Sequence, residues 1–427
     1  MKIGYVGMSH LGLVSCVGTA SKGFQVIGFD KNTELIKNLK NSNFPIEEPK
    51  FISLFQSNKT KIEFSSNLSR ISECDLVYIS QDVASNKSGF SDLNEIEILI
   101  NEAVEFTPSD SCIVILSQVS PGFSRKISNK VNRNISYQVE TLIFGNAIER
   151  FLYPERFIVG LNKSTDQLHH FHKLFLEFFD CEILVMSYES AELSKISINI
   201  FLATSITTTN SLCELAEELG ADWDDVKKSL KLDQRIGPNS YIEPGLGISG
   251  GNIERDIRTA AELSNMLGTE ASVLAAIDNN SNYRKLWPYR IIENEFNFDN
   301  NKICVAIWGL TYKKNTHSMK NSPAIANMKK LSLNCKFNVY DPIVKAPESL
   351  NLDIKEFSYK FDSLNDADAL IIFNDSNDFC DISASEIERR MRGSLVIDPF
   401  GIIDIKSQNN LNYFRFGTSL LGGALIE

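Results

Sequence analysis

The sequence predicts an α/β protein: two doubly wound parallel-sheet domains joined by a long central helix and a small helical domain. Three observations lead there. Apolar runs of strand length alternate with helical stretches in the N-terminal part, as in a sheet covered on both faces. The stretch 189–219 contains neither glycine nor proline, and reads as one helix. Strand-like runs then return in the C-terminal part. A chain of 427 residues is also more than one hydrophobic core normally supports.

The elements follow in order. "KIGYVGM" is a largely apolar run leading into glycine, a strand buried on both faces. "HLGLVSCVGTASKG" reads as a helix closed by Gly23. "FQVIGFD", "DLVYIS", "CIVILS" and "RFIVGL" are further strands of the same parallel sheet. The long helix begins near Glu189, with Gly220 as its C-terminal punctuation. "NKICVAIWGL", "CKFNVYDP", "DALIIFN" and "GSLVIDPFG" then supply the strands of a second, smaller domain. The expected boundaries are 1–186, 187–296 and 297–427. No short repeat is visible, and the two α/β halves show no similarity in sequence.

Composition narrows the class. Hydrophobic residues make up 43% and charged residues 23%, as in an ordinary globular protein. The 43 basic and 54 acidic residues leave a net charge of −11, which argues against nucleic acid as a partner. An anionic substrate then needs a local basic pocket. None of the eight cysteines is within three residues of another, so no zinc or redox pair is suggested. The strand-like start is unlike a signal peptide, and no apolar run reaches the length of a membrane span. A cytoplasmic location without membrane contact is expected.

The first turn reads Gly7-Met8-Ser9-His10-Leu11-Gly12. It keeps the first and third glycines of the dinucleotide fingerprint and has Ser9 at the second, where the diphosphate normally lies against the backbone. Ser9 either crowds a phosphate or donates a hydrogen bond to it. Asp30 closes the second strand, where a carboxylate accepts from ribose hydroxyls and repels a 2′-phosphate, favouring NAD over NADP. A Rossmann-like domain binding NAD through Gly7, Ser9, His10, Leu11, Gly12 and Asp30 is the reading. The alternative is a doubly wound domain whose glycines serve packing only.

Six blocks, in order, make the chain resemble the UDP-glucose/GDP-mannose dehydrogenase family over nearly its whole length. They are "PIEEP" (45–49), "YPERFIVG" (153–160), "AELSKISINIFLA" (191–203), "DQRIG" (233–237), "GLGISGGNIERD" (245–256) and "GLTYKKNTHSMKNSPA" (309–324). The resemblance implies NAD-dependent oxidation of a nucleotide sugar, most simply a UDP-sugar, at its C6 alcohol to a carboxylate. It places Lys195, Asn199 and Asp256 in catalytic positions, with Glu140 as a surviving glutamate. It adds Gln118 and Arg255 to the cofactor contacts. It assigns Tyr241, Gly247, Gly250, Lys313 and Lys320 to the substrate. It also implies a homodimer built on the long helix, in which Arg235 reaches the neighbouring subunit's substrate. Lys195 and Asn199 are one helical turn apart, so an ammonium and an amide can hold an alcohol oxygen as it becomes an alkoxide. A lysine on a helix is by default a solvated surface residue, and an isolated aspartate a helix cap.

The departures fall on one half of the reaction. The family's nucleophilic cysteine is Asn252, and its second glutamate, assigned to the water step, is Phe144. An amide cannot form the thioester through which the aldehyde is oxidised. The cofactor-facing "Val-x-Thr-Pro" is Gln81-Asp82-Val83-Ala84, and "Ser-Thr-x-Pro" is Ser117-Gln118-Val119-Ser120. Cys112 or Cys213 could approach the site in space. Three readings stay open: an oxidoreductase that performs one hydride transfer, a full dehydrogenase in which Asn252 orients a water and the aldehyde hydrate is oxidised, and a catalytically silent binding subunit.

Overall fold

The computed structural model describes residues 1–83, 91–131, 133, 135–298, 302–404 and 410–418. The chain divides into two compact units, Met1–Ile198 and Asn199–Glu427.

The first unit is built on an eight-stranded sheet. Its strands are β1 (Lys2–Val6), β2 (Gln25–Phe29), β3 (Ile62–Ser65), β4 (Leu76–Ile79), β5 (Cys112–Ile115), β6 (Ile135–Gln138), β7 (Arg156–Leu161) and β8 (Glu182–Ser187). Their order is β3-β2-β1-β4-β5-β6-β7-β8. Residues of β1, β4 and β5 are buried alternately into apolar clusters on opposite faces: Ile3, Tyr5 and Leu76 on one, Val6, Val77 and Ile113 on the other. Two-sided burial is why these strands read as continuous apolar runs.

The expectation of a wholly parallel sheet fails at one place. β7 pairs antiparallel with β6, while β8 is parallel to β7. The link 139–155 carries only the short helix Ala147–Leu152, and antiparallel neighbours need no crossover across a sheet face. The sequence reading also missed β6, "ISYQ". Its Ser136 and Gln138 side chains are buried and hydrogen-bonded in place. His172 Nε2 meets Gln138 Oε1 at 2.9 Å, Tyr78 donates to the same oxygen at 3.2 Å, and Ser136 Oγ lies 3.1 Å from His172 Nδ1. This network assigns a neutral imidazole protonated at Nε2.

The second unit contains β9 (Ile303–Trp308), β10 (Cys335–Tyr340), β11 (Ile354–Glu356), β12 (Ala369–Ile372), β13 (Leu395–Ile397) and β14 (Asn412–Phe414), ordered β11-β10-β9-β12-β13-β14. All are parallel. In each sheet the chain's progression reverses beside the first strand, at β1/β4 and at β9/β12. Such a switch point opens a crevice at the strands' C-terminal ends. The halves also repeat a detail that their sequences hide. Asp30 after β2 accepts from the Met8 amide of the first turn at 2.9 Å. Asp341 after β10 accepts from the Leu310 amide of the corresponding turn at 2.7 Å.

The long helix is continuous from Tyr188 to Leu219. At its start it is tied into the first unit: the buried Glu192 carboxylate accepts from the Gly122 and Ser124 amides at 2.7 Å each, capping the helix Phe123–Lys130. Its later turns belong to the second unit. There Arg284, 1% exposed, lies 3.2 Å from the equally buried Glu217 and 4.2 Å from the Phe416 ring centroid. Among the described residues no helix is long and apolar enough to cross a membrane.

Candidate active site

The first crevice forms where the β1 turn meets the helix His10–Ser21. A methyl on Gly12 would lie 1.9 Å from the Gly7 carbonyl oxygen, so only glycine lets the helix approach the strand this closely. A cleft of roughly 250 Å³ lies beside the turn, lined by Gly7, Ser9, Phe29, Asp30, Leu35 and Gln81 among others. The Asp30 oxygens each accept one backbone amide, from Met8 and Asn32, and each has a second lone pair free in kind for a ribose hydroxyl. The adenosine end therefore fits a dinucleotide.

Ser9 already has partners within the protein. Its Oγ lies 3.1 Å from the Ser80 carbonyl and accepts from the Asp82 amide at 2.9 Å, so it fastens the glycine turn to the β4 turn. His10 is held from behind. Its Nε2 lies 2.7 Å from Glu48 Oε1, and the Phe144 ring leans on it with centroids 4.2 Å apart. Glu48, from "PIEEP", is nearly buried and also accepts from the Gly145 and Ala147 amides. Phe144 is thus a half-exposed lid on His10. The sequence reading quoted the Glu48 block without giving it a task. Gln118 follows β5 and is half-buried.

Also in the first unit, Lys195 Nζ stands 3.3 Å from Glu140 Oε2, with the two side chains only 12% and 16% exposed. The Leu142 amide donates to the other Glu140 oxygen. A lysine paired in this way is not a solvated surface residue.

The second unit carries the remaining candidates. The helix Asn252–Leu267 starts after Gly251, whose φ is 96°. A methyl there would meet the Lys320 side chain at 2.6 Å, so the lysine's alkyl chain runs across the glycine. Tyr312 packs on Gly250 in the same way, and the Gly250 amide donates to the Lys320 carbonyl at 3.2 Å. Gly247 lies against Ser281 and Lys285, where a methyl would come within 2.4 Å of the Ser281 carbonyl oxygen. Asn252 is exposed at the first turn of the helix, where its amide stands at the positive end of the dipole. Asp256, one turn on, is buried, with Oδ2 2.5 Å from Asn199 Nδ2 and Oδ1 3.5 Å from Arg255 Nε.

Glu254 anchors this glycine-rich stretch. Its oxygens take Lys285 Nζ at 2.7 Å and Asn321 Nδ2 at 2.6 Å, all three from different segments. Lys313 lies over the Tyr312 ring. Tyr241 and Arg235 are exposed, and Arg235 is paired with Asp233 at 2.6 Å.

Neither candidate cysteine supplies a nucleophile. Cys112 is buried beside Ser136, and burial pushes its thiol up to about 12. Cys213 is buried against Glu217, and burial raises its pKa further. Among the described residues no group of three or more His, Cys, Asp or Glu side chains is placed to hold a metal.

Comparison with known proteins places this geometry. Residues 1–179 match the NAD binding domain of the UDP-glucose/GDP-mannose dehydrogenase family, residues 189–283 its central domain and residues 306–405 its UDP binding domain. UDP-glucose 6-dehydrogenase of Rickettsia conorii is 27% identical over 98% of this chain and 100% of its own. UDP-glucose 6-dehydrogenase TuaD of Bacillus subtilis is 25% identical over 96% and 92%. Among solved structures, a UDP-glucose dehydrogenase from Pyrobaculum islandicum superposes with a TM-score of 0.84 at 22% identity, covering 97% of this chain and 96% of that one. The UDP-D-ManNAc dehydrogenase of Pyrococcus horikoshii gives 0.85 at 20% identity, covering 99% and 100%.

Proposed function

The chain belongs to the UDP-glucose/GDP-mannose dehydrogenase family, and we propose that it takes one hydride from a CH–OH group of a UDP-sugar and stops at the carbonyl. It is an NAD-dependent oxidoreductase of the nucleotide-sugar dehydrogenase type. The finer reading rests on Asn252, exposed at the start of its helix where the family carries the cysteine.

NAD supplies the hydride acceptor. Lys195 holds the alcohol oxygen as its proton leaves, and its charge stabilises the alkoxide. Asn199 donates its amide to the same oxygen. Asp256, fixed by Asn199, takes the proton through a water and passes it to solvent. The C–H pair then leaves as hydride and the carbonyl forms. The second oxidation requires a thiolate adduct and a base for its hydrolysis. Asn252 provides no thiolate, and Phe144 provides no base.

The UDP preference is supported by the match of residues 306–405 to a UDP binding domain, where Lys313 and Lys320 are suited to a diphosphate. A homodimer is supported by the exposed face of the long helix. Phe201 is 76% exposed, and Leu212, Leu215 and Leu219 continue outward at helical spacing. Apolar surface of this kind marks a contact; Arg235, exposed nearby in sequence, is the residue that would reach the partner's substrate. Light scattering at micromolar concentration is expected to report a dimer, and a monomer would refute this part.

The central test is product stoichiometry. Purified protein incubated with NAD and a panel of UDP-sugars is expected to release one NADH per sugar and a product that reacts with carbonyl reagents. Two NADH and a carboxylate would replace the proposal with oxidation of the aldehyde hydrate, for which the Asn252 amide would orient the water.

A further inference from the structure

Two segments of the second unit divide the substrate between them. The loop 309–322 carries Lys313 and Lys320, suited to the diphosphate. The helix Asn252–Leu267 carries Asn252 in its first turn and then Asp256, which holds Asn199 Nδ2 at 2.5 Å. Four contacts join the loop to the start of this helix. The Tyr312 ring packs on Gly250, the Lys320 alkyl chain crosses Gly251, and the Gly250 amide donates to the Lys320 carbonyl at 3.2 Å. The fourth comes from a side chain of the helix: Glu254 Oε2 accepts from Asn321 Nδ2 at 2.6 Å. The loop presents Asn321 from a left-handed backbone, φ 54°, which asparagine tolerates. Behind this contact the carboxylate is held from the other side. Glu254 Oε1 takes Lys285 Nζ at 2.7 Å, with the two side chains 6% and 8% exposed. Lys285 is itself packed against Gly247, and its carbonyl accepts from Asn327 at 2.8 Å.

We propose that Glu254 is a positioning residue: it makes the diphosphate loop and the helix that holds Asn199 one rigid piece, so that a nucleotide sugar gripped by its diphosphate presents its alcohol in register with Asn199 and Asp256. The proposal rests on the UDP-sugar reading above. A buried ion pair costs desolvation that an apolar pair of the same volume avoids, and what it gives in return is a fixed geometry. Here the chain of fixation runs from Lys285 to the Glu254 carboxylate, from the carboxylate to Asn321, and from Asn321 to the adjoining Lys320. A slip of about 1 Å between loop and helix would move the alcohol off its partners, enough to cost on the order of a hundredfold in rate. With the slip prevented, binding energy gained at the diphosphate acts at the sugar, where it raises kcat rather than affinity.

Asn321→Gly tests this on the full chain, because Asn321 is exposed and glycine keeps its backbone conformation. At saturating NAD and UDP-sugar, kcat is expected to fall about tenfold or more. Calorimetry should find UDP bound within about twofold of wild type, and the thermal melt should stay in place. Two double variants isolate the contact. Glu254→Gln/Lys285→Met keeps an amide oxygen for Asn321 and is expected to lose less than about threefold in kcat, whereas Glu254→Ala/Lys285→Met loses as much as Asn321→Gly. Hydrogen exchange read by mass spectrometry needs no turnover. In wild type, UDP is expected to slow exchange in the loop 309–322 and also in the first turns of the helix, 252–260. In Asn321→Gly only the loop is protected. The proposal is overturned by unchanged kcat in Asn321→Gly, by a parallel loss of UDP affinity and melting temperature, or by helix protection that survives the substitution. Lys313→Ala guards the underlying reading. It is expected to weaken UDP about tenfold, and if it does not, this loop does not hold the diphosphate and it is that reading which fails.

Discussion

Lys195→Ala removes the cation on which the proposed alkoxide depends, and the structure sets the scale of the loss. Lys195 Nζ and Glu140 Oε2 are 3.3 Å apart. At that distance and an effective dielectric near 20, two unit charges interact by about 5 kcal/mol. An alkoxide forming in the transition state carries only part of a charge, and Glu140 already neutralises part of the lysine. About 3 kcal/mol of transition-state stabilisation remains, or roughly a hundredfold in kcat/KM. The truncation also strands Glu140, still held by the Leu142 amide, where its charge repels the alkoxide. Lys195→Ala/Glu140→Gln is therefore expected to recover about tenfold of the loss, a non-additivity that a double-mutant cycle reads directly. The assay is initial-rate NADH formation with the best UDP-sugar at saturating NAD, alongside thermal melts to establish folding. A loss of less than about tenfold in Lys195→Ala, or no recovery in the double variant, would refute the reasoning.

Three further outcomes are expected. Asn252→Cys should not produce carboxylate, because Phe144 still leaves no base for hydrolysis; intact-mass analysis should instead find a covalent sugar adduct, and free uronate would contradict this. Glu217→Ala should destabilise the second unit by about 3–5 kcal/mol in denaturant titration, because Arg284 is left charged in a buried site, and Glu217→Ala/Arg284→Met should recover most of it. A single-variant cost below about 1.5 kcal/mol would show that Glu214, 3.8 Å from Arg284, suffices. His172 is held neutral by burial, with its pKa pushed down to about 3. The unfolded chain therefore binds the extra proton first, and stability that is complete above about pH 6.5 is lost as pH falls from there toward 3, by up to about 4 kcal/mol. His172→Gln should flatten that part of the stability profile, and an unchanged slope would count against it.

The sequence by itself determined the alternation of strand and helix, the unbroken helix from Tyr188 to Leu219 and the crevice with Asp30 at its edge. Each depends on local periodicity or fixed spacing, which a linear reading detects. It also exposed the absence of a thiol at Asn252, because residue identity alone decides what bond a side chain can form. Pairing had to come from the tertiary structure. The antiparallel step at β6 and β7, the buried Glu254–Lys285–Asn321 anchor and the matched roles of Asp30 and Asp341 join residues far apart in the chain. The same holds for Glu48 behind His10. A carboxylate in sequence is only a charge. Whether it caps a helix or neutralises a lysine depends on which amide or ammonium folding brings within about 3 Å, and nothing in linear order fixes that distance.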